Sequence, residues 1–482
     1  MIPRILLTET MLKEADTEPN ASAACDNGGE SEITPVVQVN KTDEDETNEG
    51  ADSVSERIDA NLAETGQQPG LEAKPEEERG ASLGVLVTIV VCQFAGTSLW
   101  FAPNAVVGGI AEFDATEGAA LTSMVQVGFI IGTFTLTYSA LTDRLPATLI
   151  FTVCSVLGAI LNAICGLTRT FAVWAVLRLL VGISLAGVYP VGMKIAAQQF
   201  PQGLGARLGL LVGALALGTA LPWLFVSLSV EGEPLPVQTT LLAVSGLAVM
   251  GGALMIFVIP AKRAKKTAGS PPLSFGRQNL VVMWADQDFR NAALGYWGHM
   301  WELYALWAHV PQLITAHAVE VQEGVISIPF SVFLFIAMGA PSSALAGLWS
   351  LYSGTEKIPG SAVAAETSLI VSGVCCLLAP AYRSMSREVF FVYLLVWGSA
   401  VVADSGQYST LCAKYAPKHL VGTALTMTTC IGFAITIVSI QGVAALLKAG
   451  VDPGMALLTL AVGPLVGTIA SYRSWPLHKL CR

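Results

Sequence analysis

Two carboxylates interrupt long apolar runs of this sequence: Glu302 within GYWGHMWELYALWAHVP and Asp404 within VVADSGQYST. A charge at hydrocarbon depth is costly, so an acid placed there is by default a site that takes up and releases a proton. At about 100° per residue along a helix, His299, Glu302, Leu306 and His309 fall within an arc of about 80°, with Trp297, Trp301 and Tyr304 on the far side. The stripe sets a histidine one turn from the carboxyl as a relay. The alternative for Glu302 is a structural hydrogen bond to a neighbouring helix; for Asp404, flanked by Ser405, Gln407 and Tyr408, it is a polar clamp between helices. Arg178, in RLLVG, can hold an anion, couple to protons or pair with an acid. A metal site built on His-x-x-Glu needs more ligands than the sequence provides, so neither metal nor cofactor is expected.

The elements that would position these groups follow from composition. Of 482 residues 53% are hydrophobic and only 13% charged, about half the charge of an ordinary soluble domain. Residues 1–80 hold 20 Asp and Glu against 6 Lys and Arg, so an acidic stretch of net charge −14 precedes a body of net charge +4. Residues 1–82 bury too little apolar surface to offset ordering entropy and read as a disordered cytoplasmic tail. Beyond them the chain is a series of apolar segments, each near the roughly 20 residues that cross a bilayer. Spans are predicted near 84–107, 118–141, 147–167, 171–199, 206–229 and 238–260, then 289–316, 325–350, 362–380, 388–411, 420–447 and 453–473. The predicted fold is an all-α membrane protein of twelve transmembrane helices in two six-helix bundles, 83–260 and 289–473. A cytoplasmic linker, 261–288, joins them, and 474–482 forms the C-terminus.

Orientation follows from where lysine and arginine collect. With both termini cytoplasmic, fifteen of the body's twenty bases lie on the inner side and four outside, Arg169, Arg383, Arg387 and Lys448; Arg178 lies within a span. The basic run KRAKK at 262–266 reads as an inner-leaflet anchor, not a nucleic-acid site. The nine cysteines read as free thiols. Sliding Gly182–Pro201 by 216 positions lays it on Gly398–Pro417, the fourth span on the tenth, as two parallel halves require.

These residues resemble the major facilitator superfamily of secondary transporters, over about Leu83 to Arg473. SALTDRLPAT, with Asp143 and Arg144, is similar to the superfamily's gating-loop motif between spans two and three; the corresponding loop after span eight lacks the Asp-Arg pair. Arg178 and Gly182 match an R-x-x-x-G pattern that resembles its proton-coupling arginine motif. Gly209, Gly213, Gly218 and Pro222 resemble a glycine-rich antiporter motif, or mark close helix packing. The stretches at spans four, seven and ten resemble a subgroup labelled nitrate/nitrite or cyanate permease-like. Nitrate carriers of the superfamily grip the anion with an arginine in span two and another in span eight; neither span has one here.

The resemblance implies rocking-bundle alternating access around a site near mid-membrane. It implies a cavity lined by Gln93, Ser98, Trp100 and Asn104 in the first span and Tyr189 in the fourth; Tyr304, Gln407 and Tyr408 are further cavity candidates, and Glu302, Asp404, His299 and Arg178 are the candidates for proton coupling. The expected partners are a small-molecule solute and the lipid bilayer, with no nucleic acid, and the expected state is monomeric. A small organic or inorganic anion is the first substrate class. An efflux antiporter for amphipathic or cationic compounds is the alternative, and a non-transporting sensor that signals through the tail is the second alternative. No phosphate loop or nucleophile elbow stands in a soluble setting, so an enzyme is not expected.

Overall fold

Backbone N–H and C=O groups find no water in hydrocarbon, so apolar segments of this length close their hydrogen bonds inside helices. The computed structural model describes residues 83–475 apart from 111–112, 114, 201–203, 231–232, 261–276, 322–326 and 357. The predicted tail, most of the predicted linker and the last residues of the C-terminus lie outside the described residues.

The first span is bent by 54° between α1 (Leu83–Thr97) and α2 (Ala102–Val106), the latter prolonged as a 3-10 turn to Gly109. The break precedes Pro103, which lacks an N–H and suits a first helical turn. Next come α3 (Ala115–Tyr138), a single turn α4 (Leu141–Arg144), α5 (Ala147–Cys165), and a fourth span split into α6 (Phe171–Ala186) and α7 (Tyr189–Gln199) ahead of Pro190. The first half ends with α8 (Leu204–Ser227), a two-residue antiparallel pair, β1 (Ser229–Val230) with β2 (Glu233–Pro234), and α9 (Val237–Val258).

A short helix, α10 (Arg277–Ala285), occupies the end of the predicted linker, and the seventh span, α11 (Gln287–Val321), starts just before its predicted boundary. Asp286 fixes that start: its Oδ1 accepts from the Phe289 backbone N–H at 2.8 Å, a side-chain cap of the first turn. The eighth span is α12 (Ile328–Ala337) and α13 (Gly339–Trp349), the ninth α14 (Gly360–Leu378) with a 3-10 extension to Ser384. The tenth is α15 (Arg387–Ala403) and α16 (Ser405–Tyr415), the eleventh α17 (Val421–Lys448), and the twelfth α18 (Pro453–Leu458) with α19 (Val462–Ser474). Ten of these spans are long and apolar enough to cross a bilayer, and the bent first span makes eleven. The remaining span, the seventh (α11), is 35 residues long, but Asp288, Arg290, Glu302 and three histidines lower its hydropathy.

The two halves carry the same frame. A shift of 216 residues carries α6 onto α15, α7 onto α16, and the bounds of α9 onto those of the twelfth span, Pro453–Ser474. Helices approach closely where glycine leaves room: a Cβ on Gly128 of α3 would overlap the Leu179 carbonyl of α6, the small-residue packing that membranes favour. The halves meet where the fifth span packs on the eighth and the second on the eleventh. Gly209 and Gly213 face the backbone of Ser343 and Ala340 at the first of these contacts, so close packing accounts for the glycine pattern of the fifth span.

Candidate functional site

Glu302 is 1% exposed, midway along α11. Its Oε1 accepts from the Ser372 hydroxyl and, at 3.2 Å, from the Cys376 thiol, both on α14, and at 2.8 Å from the Trp397 indole N–H on α15. Oε2 has no partner among the described residues. One carboxyl oxygen is thus held by three donors while the other is free to carry a proton.

Asp404 stands at the kink between α15 and α16, also 1% exposed, with His299 Nδ1 2.7 Å from its Oδ1. This redirects the relay expected of His299: its partner is Asp404 on the tenth span, not Glu302 one turn along its own helix. A helical arc gives the direction of a side chain but not which neighbouring helix stands there. His309 turns away to the carbonyl of Ile440 at 3.0 Å. Trp297 and Trp301, expected on one face with Tyr304, donate to the carbonyls of Thr428 and Thr459, at 3.0 and 3.4 Å, on two different neighbouring segments.

Arg178 is fully buried, and no acid pairs with it among the described residues. One terminal nitrogen donates to the carbonyls of Leu99 and Trp100, at 2.8 and 2.7 Å, and the other to Asn162 Oδ1 at 3.1 Å. Those two carbonyls lie at the break of the first span, where α1 has ended and its last acceptors lack helical donors. A cation at a helix C-terminus is the favourable charge there.

Trp100, held by that contact, is the centre of an aromatic cluster drawn from both halves. Its ring lies 5.0 Å from Phe129 of the second span, 5.7 Å from Tyr304 of the seventh, 5.7 Å from Phe433 of the eleventh and 6.5 Å from Tyr189 of the fourth. Phe129 and Phe433 touch across the halves at 4.4 Å. Sequence reasoning named Trp100, Tyr189 and Tyr304, and the structure brings them together. The Trp100 indole N–H and both amide atoms of Gln93 are buried without partners among the described residues. Asn104 is engaged instead, its Oδ1 accepting from the Thr122 hydroxyl at 2.9 Å. Ser98 donates to the Ala95 carbonyl of its own span at 2.7 Å.

Gln407 and Tyr408 are buried beyond the kink of the tenth span. The Tyr408 hydroxyl shares a hydrogen bond with Ser471 at 3.1 Å and its ring lies against Gly295, so it points into the second half and not between the halves. The loop motif forms the turn α4, entered through Ala140 in the left-handed region at φ 48°; it carries Asp143 and an exposed Arg144. Lys194 Nζ, from the fourth span, ties this turn down through the Thr142 carbonyl and hydroxyl, at 3.0 and 3.1 Å.

Two residues escaped the sequence reading. Gln126 is fully buried one turn from Phe129, both amide atoms unpartnered, and Glu366 on α14 is 1% exposed with both oxygens unpartnered among the described residues. The signal for Glu366 was present: an acid inside a predicted span, 362–380, is the feature that marked Glu302.

The sequence profile of the Major Facilitator Superfamily matches residues 84–440. Among solved structures, the chain is similar to a mutant of the nucleoside transporter NupG, at 13% identity and a TM-score of 0.61, over 81% of this chain and 99% of that one. It is also similar to a bacterial homolog to human lysosomal transporter, Spinster, in an inward-facing and unoccupied conformation, at 14% identity and a TM-score of 0.55, over 81% and 96%. A comparison with curated proteins gives no match.

Proposed function

Because this multi-pass membrane protein belongs to the major facilitator superfamily, we propose that it is a secondary active transporter moving a small solute by alternating access between two halves, 83–260 and 289–473, with proton coupling through Glu302 and the His299–Asp404 pair. The observation that carries the coupling is the state of the two acids: both are buried at the level of the kinked and central segments, and each has an oxygen without a hydrogen-bond partner among the described residues. An intramembrane acid so placed is suited to exchange protons as the halves move. Both termini are read as cytoplasmic. Arg383, an exception to the charge bias, supports that orientation, since Glu320 and Asp452 neutralise it, each at 2.9 Å.

For the solute, the geometry favours the compounds of the second expected transporter class, amphipathic or cationic, and among them those with a planar apolar part. Rings from both halves supply stacking surface, with orphaned amides of Gln93 and Gln126 as donors and acceptors. An anion would need a free cation. Arg178, the one fully buried arginine or lysine among the described residues, is committed to two carbonyls and an amide. The second and eighth spans, α3 and α12–α13, hold no lysine or arginine, so likeness to nitrate or cyanate permeases does not extend to an anion grip.

The test is internal pH in liposomes containing the protein, with planar amines, neutral heterocycles and small anions added in turn. Planar compounds are expected to move protons, and Glu302→Gln to abolish dependence on a pH gradient while sparing solute exchange. Proton movement driven by anions alone would overturn the solute class; unchanged coupling in Glu302→Gln would overturn the role of that acid.

A further inference from the structure

Polar groups succeed one another through the interior of the second half in separate contacts. Glu302 is level with Ser372 and Cys376 on α14 and Trp397 on α15. Further along the tenth span stands Asp404 with His299, and one turn beyond it Tyr408, whose hydroxyl meets Ser471 on α19. Three residues on, Ser474 accepts from Asn291 at 2.7 Å, at the end of the half where α11 begins and α19 finishes.

Glu366 stands beside this series without a role in the site described above. It lies six residues, about 9 Å of helix, from Ser372 toward that same end of α14. Helix α14 packs on both α16 and α19, and Tyr408 is within electrostatic range of Glu366 and Asp404 alike. A carboxyl buried with no partner on either oxygen among the described residues carries a desolvation cost that calls for an explanation. Other titratable groups stand on the helices packed against α14: Cys412, Lys414 and Tyr415 on α16 and Tyr472 and Arg473 on α19, while Tyr393 on α15 donates to the Cys375 carbonyl at 2.9 Å, nine residues from Glu366. Tyr382, Arg383, Arg387 and Glu388 belong to the opposite end, and α13, α18 and the turn 459–461 bring none.

We infer that Glu366 is the relay at the inner end of a proton path that runs inside the second half, by way of Tyr408 and the His299–Asp404 pair to Glu302, apart from the solute path between the halves. In each transfer Glu366 gives up a proton and the Asp404 carboxylate gains one; the Tyr408 hydroxyl accepts one and releases its own, so the ring stays neutral. The inference deepens the proton-coupled reading and rests on it.

The test needs no solute. The full chain in lipid nanodiscs is followed by time-resolved infrared spectroscopy of carboxyl C=O bands after a light-released proton jump, with Glu302→Gln and Asp404→Asn identifying their own bands. Glu366→Gln is expected to remove one band and slow protonation of Glu302 and Asp404 by about a hundredfold, the scale of a lost proton-transfer group; Glu366→Asp should restore the rate. Unchanged bands, or a lost band with unchanged rates, would overturn the relay. If Glu366→Gln is not recovered as monodisperse protein, Tyr408→Phe decides: it keeps the carboxyl and removes the hydroxyl, and an unaltered rate there would overturn the path. A working relay in a protein that moves no proton with any solute would separate failure of the transport reading from failure of this one.

Discussion

Replacing Arg178 by glutamine should destabilise the protein before it affects recognition. The guanidinium makes two charge-assisted bonds to the Leu99 and Trp100 carbonyls and one to Asn162. Bonds of that kind contribute about 1.5–3 kcal/mol each, so the two to the carbonyls amount to about 3–6 kcal/mol. In a membrane the unfolded reference finds partners of its own, which cuts such values by about half and leaves about 1.5–3 kcal/mol. Glutamine is shorter and uncharged, so the Leu99 and Trp100 carbonyls lose their charged donor at the break of the first span. Unfolding in a titration with sodium dodecyl sulfate, read by tryptophan fluorescence, should therefore shift to a lower detergent fraction. Arg178→Lys, with a single ammonium, should recover part of the difference. A variant that unfolds with the wild type yet has lost solute exchange would refute the reasoning, because Arg178 would then be gripping solute and not backbone.

Gln93→Leu should hold or slightly raise stability, since it removes a buried amide with no partners, while weakening solute binding about tenfold, roughly 1.4 kcal/mol, measured by titration of the purified protein. Gly128→Ala forces a Cβ onto the Leu179 carbonyl and should cost about 1–3 kcal/mol in the same detergent titration. At the start of the twelfth span, partial burial pushes the Asp452 carboxyl up, but bonds from Arg383 and Tyr382 and the backbone N–H groups of Met455 and Gly454 outweigh it and hold the acid below its ordinary value. Its contribution is therefore complete above about pH 4 and lost as pH falls through the lowered value. Asp452→Asn should melt below the wild type at neutral pH, the gap closing under strongly acidic conditions; a gap that widened there would contradict the sign.

Spans were legible because hydrocarbon imposes a length and a composition on each helix, and even the kinks at Pro103 and Pro190 have local causes. The repeat was legible too, although only three identities in the aligned stretch carried it; helix bounds under the same shift carry it better. Partners were not legible. His299 and Glu302 share a helix face, yet one meets the tenth span and the other the ninth and tenth, a distinction set by helix packing and absent from any single segment. The same holds for Arg178, whose carbonyl partners lie 78 and 79 residues away in sequence. Glu366 was legible in principle and passed over because it sits among small residues near the start of its span.

The shift that joins the halves also sets Asp404 of the tenth span on Val188 of the fourth, at the same interruption between two helical pieces. A bend that forms over valine in one copy and over aspartate in the other does not need the acid. Backbone and chemistry are then separable: the repeated frame supplies the interruption twice, and only the second copy carries a carboxyl there. Asymmetry of this kind lets one half specialise in handling charge while its sibling retains an uncharged joint, without either having to invent a new backbone.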